Sequence, residues 1–251
     1  MVHFVGAGCG APDLITVRGA RLLEEADVVI YAGSLINQEL LQYTKEGCEL
    51  HDSARMTLEQ VLAVIREAEI RKKTTVRLHT GDPSIYGAVR EQFDALDALG
   101  IAYNICPGVS ALSGVAATLK AEYTLPEVSQ TLIVTRMEGR TSVSEREKLH
   151  SLAAHGTSMA LFLTAGLLDE AQEELLAGGY KPETPAAIVY KATWPDEKVF
   201  RCRVDELAKV AAQNGIRKTA LVVVGDFLGK DYARSRLYAP DFSTAFREAQ
   251  T

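Results

Sequence analysis

The residues best suited to chemistry in this 251-residue chain lie in three short glycine-containing loops. The first, Gly6-Ala7-Gly8-Cys9-Gly10-Ala11, has the G-x-G-x-x-[GA] spacing of a nucleotide-binding turn, in which missing side chains let backbone amides approach a ligand. A dinucleotide site is disfavoured. Pro12 falls where the phosphate-binding helix should begin, and Tyr31-Ala32-Gly33 offers no acid to a ribose. A turn beside some other ligand and a purely structural glycine turn both stay open. The second loop is Leu78-His79-Thr80-Gly81-Asp82-Pro83-Ser84-Ile85-Tyr86-Gly87. Gly81 permits close backbone approach or a positive φ, and Pro83 restricts Asp82 to an extended backbone. Asp82 is equally suited to capping the next helix. In the third loop, Cys106-Pro107-Gly108-Val109-Ser110-Ala111, Ser110 is placed to cap a helix.

Each loop follows a β-rich run, at residues 2–5, 75–78 and 102–105, with a further run at 28–31. Helical patterns at 17–26, 58–68 and 88–99 alternate with them. Thr57-Leu58-Glu59-Gln60 has capping-box spacing, and Leu58, Val61, Leu62, Ile65 and Ala68 form a 3.6-residue stripe. This alternation predicts an α/β fold with a mostly parallel N-terminal sheet, and it brings the three loops to one sheet edge. The second half predicts strands at 131–135, 160–163, 186–190, 199–202 and 221–224, with helices at 145–152, 167–176 and 205–212. The gap after residue 190 is too short for a crossover helix, so the strands on either side of it should be antiparallel and the second sheet mixed. Residues 120–130, polar and broken by Pro126, read as a linker between α/β domains at 1–119 and 131–251.

With 47% hydrophobic residues the chain can bury a substantial core, and no apolar run approaches the length of a membrane span. Lys and Arg number 27 against 33 Asp and Glu, a net charge of −6, which argues against a nucleic-acid partner. Cys9, Cys48, Cys106 and Cys202 are widely spaced and lack zinc-ligand patterning, so reduced, metal-free roles are expected. The start, Met1-Val2-His3-Phe4-Val5-Gly6, lacks a signal-peptide pattern, and a cytoplasmic protein with no membrane partner is expected.

In this order, the three loops resemble those of the tetrapyrrole methylases, S-adenosylmethionine-dependent enzymes of cobalamin and sirohaem synthesis. The family pattern G-A-G-P-G-D-P-x-L-I-T is present as Gly6-Ala7-Gly8-Cys9-Gly10-Ala11-Pro12-Asp13-Leu14-Ile15-Thr16, with Cys9 in place of Pro and Ala11 in place of Asp. Thr135-Arg136-Met137-Glu138-Gly139-Arg140-Thr141 and Tyr190-Lys191-Ala192-Thr193-Trp194-Pro195-Asp196-Glu197-Lys198 resemble the branch acting at C-11 of precorrin-4 or cobalt-precorrin-4. The likeness runs from Val2 to about Gly225.

The resemblance implies two α/β domains with the active site in the cleft between them, a homodimer, and S-adenosyl-L-methionine as methyl donor. Carried over by position, the donor would contact Cys9, Thr80, Gly81, Asp82, Ile85, Ser110, Ala111, Thr164 and Cys202. The acceptor would be a polycarboxylate macrocycle, for which Arg136, Arg140 and Lys191 are the first candidates, with Arg55 and His79 behind them. Ala11 removes the family's carboxylate from the first loop, so no residue is assigned as a catalytic base. Trp194 reads as a turn aromatic in its own right, and its place in the branch-specific stretch brings it near the cleft. A relative acting on another ring carbon or a non-tetrapyrrole acceptor, and a donor-binding protein without turnover, are the competing expectations.

Overall fold

A computed structural model describes residues 1–33 and 35–249. The chain divides into two compact units. One comprises Met1–Val115 with Lys191–Asp196, and the other Ala116–Tyr190 with the residues from Glu197 onward. The division falls inside a helix, Ala111–Leu119, and not at the expected linker, whose residues 120–130 form turns closed by a bridge between Leu125 and Ser129. The hexapeptide 191–196, expected in the second domain, belongs to the first unit.

The first unit is built on a parallel sheet of β1 (Val2–Gly6), β2 (Val28–Tyr31), β3 (Glu49–Asp52), β4 (Thr75–His79) and β5 (Tyr103–Cys106), in the order β3-β2-β4-β1-β5. The central strands β1 and β4 are buried on both faces, as crossover helices require. On one face Val5, Val29, Val76, Leu78 and Cys106 pack with Leu23 of α1 (Val17–Glu25) and with Leu40. On the other, Val2, Phe4, Val28 and Ile30 pack with Val61, Ile65 and Ala68 of α2 (Leu58–Ile70) and Leu96 of α3 (Arg90–Ala98). The capping box at Thr57 forms as expected, with both reciprocal bonds between Thr57 and Gln60 present. Sequence periodicity missed β3 because Glu49-Leu50-His51-Asp52 is a short, largely polar strand at the sheet edge. The first turn expected of α3 is instead an irregular segment, with Ala88 in left-handed backbone.

The second unit carries a mixed sheet of β6 (Leu132–Arg136), β7 (Ser158–Phe162), β8 (Pro185–Tyr190), β9 (Lys198–Arg203) and β10 (Ala220–Val224), in the order β6-β7-β10-β8-β9. Only the β6–β7 pair is parallel, and β8 and β9 form the expected antiparallel pair. After α4 (Ala111–Leu119), the helices α5 (Leu149–Ala153), α6 (Leu168–Ala177) and α7 (Leu207–Gln213) bring Leu149, Leu168, Leu175 and Leu207 onto Met159, Leu161, Ile188 and Val222. No helix among the described residues is long and apolar enough to cross a membrane.

Candidate functional site

The three glycine-containing loops meet at the C-terminal ends of β1, β4 and β5, and they meet through backbone. Gly8 N–H donates to Gly81 O at 3.2 Å, and Gly81 N–H returns the bond to Gly8 O at 2.9 Å. A Cβ on Gly6 would lie 2.5 Å from Gly108 Cα, and one on Gly108 would lie 2.1 Å from Gly81 O. The loops therefore interlock at a point where side chains have no room. Gly81 differs: its φ is +59°, and a Cβ there would find nothing nearer than Ala111 N and Ser110 Cα at 3.7 Å. Positive φ is what demands glycine at this position, and the missing side chain leaves an open cradle facing Ser110 and Ala111.

Asp82 ties two loops together. Its Oδ2 accepts from Gly108 N–H at 2.7 Å, while Oδ1 accepts from Ser84 N–H at 2.8 Å and from the Ser84 hydroxyl. Partial burial pushes its pKa up, but these bonds outweigh burial and hold the carboxyl below its ordinary value. Ser110 caps α4, its Oγ accepting from Leu112 N–H at 3.2 Å and its carbonyl from Ser113 and Gly114. Ala111 N–H, facing the Gly81 cradle, donates to no described residue. Thr80 is exposed, with its hydroxyl on Leu35 O at 3.1 Å, and Ile85 is half-buried.

Cys9 is placed differently from the rest of its set. Its thiol is buried 3.6 Å from Thr193 Oγ1, and a Cβ on Gly114 of α4 would come within 2.8 Å of it. The segment 191–196 braces this first loop. Thr193 Oγ1 accepts from Ala11 N–H at 3.0 Å, and Trp194 packs so closely on Gly10 that a Cβ there would lie 2.3 Å from the indole. Thr193 and Lys191 are both left-handed, at φ +68° and +48°, and this backbone is most strained at the β-branched Thr193. Lys191 forms an ion pair with Asp196 at 2.7 Å and lies 5.1 Å from the Trp194 ring centroid.

Four of the remaining expected site residues, Thr164, Cys202, Arg136 and Arg140, lie in the second unit. Thr164 is fully buried, accepting from Met137 N–H at 3.0 Å and donating to Phe162 O at 2.8 Å, so its side chain is internal to the fold. Beside it, Leu163 is left-handed at φ +54° and 68% exposed. Cys202 sits half-buried on β9, where burial raises its thiol pKa to about 11 and keeps it protonated. Arg136, at the end of β6, donates through Nη1 to Met137 O and Thr141 O and through Nη2 to Ser142 O, at 3.0–3.2 Å. It shapes the loop that follows β6. Arg140 on that loop is exposed, as is Arg55 in the first unit. His79 is 5% exposed and stacks on Phe4, and burial followed by the neighbouring Arg77 cation lowers its pKa to about 3. A neutral, buried imidazole makes a poor partner for a carboxylate.

The sequence reading missed Arg77 and Thr193. An arginine set between Val76 and Leu78 in a β-rich run was the available signal for the first. The second lies inside the branch-specific stretch 190–198, but no spacing pattern points to its bond with Ala11 N–H.

Comparison with known proteins gives a consistent result. The model of the tetrapyrrole (corrin/porphyrin) methylases matches residues 1–208. A cobalt-precorrin-4 C(11)-methyltransferase of Methanocaldococcus jannaschii is 51% identical over 249 residues, covering 99% of this chain and 96% of the relative. A precorrin-4 C(11)-methyltransferase of Pseudomonas aeruginosa is 44% identical over 251 residues, covering 99% of each. Among solved structures, a cobalt precorrin-4 methyltransferase matches with a TM-score of 0.89 and 44% identity, over 91% of this chain and 96% of that one. A uroporphyrin-III C-methyl transferase from Thermus thermophilus, complexed with S-adenyl homocysteine, matches with a TM-score of 0.77 and 25% identity, over 90% of this chain and 98% of that one.

Proposed function

Because the chain belongs to the tetrapyrrole methylases, we propose that it transfers a methyl group from S-adenosylmethionine to C-11 of precorrin-4 or cobalt-precorrin-4, a step in building the corrin ring. The observation that carries this reading is identity with C(11)-methyltransferases along nearly the whole chain, beyond the three loops common to the wider family. When bound, the sulfonium donor supplies both the methyl group and its own leaving group. The protein's task is then to hold the methyl carbon in line with the attacking ring carbon and to keep water out.

The residues of the first unit fit such a donor. The Gly81 cradle admits ligand atoms to the backbone, and Ala111 N–H stands ready to donate at the start of α4, where the helix dipole favours a negatively charged group. Asp82 holds the second and third loops in register, and Thr80, Ile85 and Ser110 complete that lining. Cys9 contributes through its backbone, since its thiol faces Gly114 and Thr193. In the second unit the backbone at Leu163-Thr164 and the neighbourhood of Cys202 are assigned to the donor. For the polycarboxylate acceptor, Arg140 presents an exposed guanidinium, Arg136 sets the loop that carries it, and Lys191 is held beside Trp194. No protein acid or base is assigned.

We place the enzyme in the cytoplasm as a homodimer. Its four free thiols suit a reducing compartment, and the exposed Leu237, Tyr238 and Phe246 offer apolar surface for a second copy. Light scattering tests the dimer. The function is tested by incubation with methyl-labelled S-adenosylmethionine and precorrin-4, with and without cobalt. Label should appear at C-11 of the product, and donor binding without transfer would refute the enzymatic reading.

A further inference from the structure

We infer that Arg77 and Gln92 form a positioning device for the donor loop, residues 80–88, through hydrogen bonds that run from the end of β2 to Ala88. The inference rests on the donor-binding reading above. Arg77 lies in the middle of β4, in register with Phe4 on one side and Ile30 on the other, and is 8% exposed. Among the described residues no carboxylate pairs with it, and burial depresses its pKa to about 10. Its neighbour His79 is neutral and leaves Nε2 buried without a partner. An unpaired guanidinium in such surroundings is costly, and a residue such as methionine would fill the space at no electrostatic cost.

What arginine alone supplies is a rigid fork reaching acceptors on two elements at once. Nη1 donates to Ile30 O at 3.2 Å, anchoring the group to β2, and Nε donates to Gln92 Oε1 at 3.2 Å. The second bond fixes the orientation of the Gln92 amide, whose Nε2 then donates to Ala88 O at 2.9 Å. Ala88 closes the donor loop, and the backbone there is strained: Tyr86 and Ala88 are left-handed at φ +54° and +48°, and a Cβ on Gly87 would lie 2.1 Å from Pro83 O. Conformations of this kind persist only where the surroundings over-determine them. The Arg77–Gln92 relay supplies that constraint at the far end of the loop, as the Asp82–Gly108 bond does near its start.

Gln92→Glu separates positioning from general structure. Glutamate keeps an acceptor for Arg77 and adds a charge partner, but it loses the N–H on Ala88 O and sets a carboxylate against that carbonyl. Thermal stability should hold or rise, amide exchange over residues 80–88 of the unliganded protein should accelerate, and the donor Kd by calorimetry should weaken about five- to ten-fold. Arg77→Met removes the relay from its other end and should loosen the same residues at similar thermal stability. If both variants exchange as wild type across 80–88, or if both bind donor as wild type does, the inference is overturned. A wild-type protein that binds no donor would overturn the functional reading instead, while the exchange measurement still decides whether the relay holds the loop.

Discussion

Replacement of Gly108 by alanine tests whether the interlocked loops form the donor site. The new methyl group would sit 2.1 Å from Gly81 O and 2.7 Å from Gly6 Cα, where ordinary contact begins near 3.4 Å. Both obstructing atoms are backbone, so no rotamer change relieves the overlap and the third loop must retreat by roughly 1 Å. Overpacking of this severity costs about 1–3 kcal/mol. The retreat also stretches the 2.7 Å bond from Gly108 N–H to the Asp82 carboxylate, a charged acceptor whose loss adds about 2 kcal/mol. The total, about 3–5 kcal/mol, should lower Tm by about 10 °C and still leave a folded protein. Because the displaced loop carries Ser110 and Ala111, donor binding should weaken by about 100-fold in calorimetry. Gly81→Ala makes the complementary change, since its methyl group meets no backbone closer than 3.7 Å. The left-handed φ should cost it only about 1–2 kcal/mol, while the methyl group enters the cradle and blocks the donor. A Gly108→Ala protein with wild-type Tm and wild-type donor affinity would refute the interlocked-loop account.

Four further outcomes are expected. The Asp82 carboxyl is held below its ordinary pKa of 3.8, so its stabilising contribution is complete above that pH and lost as pH falls through the lower folded-state value; Asp82→Asn should flatten the acid limb of Tm against pH. His79, lowered to about 3 from 6.5, binds a proton in the unfolded chain before the folded one, so stability should decline below pH 6.5, and His79→Phe should remove up to about 1.4 kcal/mol per pH unit of that decline in chemical denaturation. Trp194 is the only tryptophan and packs on Gly10, so donor binding at the first loop should change its fluorescence, whereas Thr193→Val, which removes the acceptor of Ala11 N–H, should cost about 1–2 kcal/mol and alter the emission before any ligand is added.

Strand patterning and glycine placement made the first unit legible, because its central strands are rich in β-branched and aliphatic residues and its loops carry residues whose backbone needs are visible as residue types. The Thr57 capping box and the antiparallel β8–β9 pair follow from spacing alone. The harder features depend on contacts between residues distant in the chain. Arg136 reads as a surface cation seeking an anion, yet its guanidinium folds back on the carbonyls of Met137, Thr141 and Ser142. The Cys9 thiol turns toward Gly114 because the helix that follows the third loop leaves a space there, which spacing along the first loop does not reveal. Edge strand β3 escaped because polar residues at a sheet border carry little periodic signal.

The discontinuity of the first unit bears on how this protein can be cut, recombined or inherited. A fragment ending at Val115 would hold all three glycine loops and all five parallel strands, and by sequence it would look like a transferable module. It would also lack Thr193 and Trp194, leaving Ala11 N–H without its acceptor and Gly10 without its cover. The completing six residues are encoded between β8 and β9 of the other unit, so a gene exchange that swaps one half replaces part of the other half's loop support. The two halves must therefore change together at positions 9–11 and 191–196, and chimaeras joined near residue 115 should recover function only when that hexapeptide travels with the first loop.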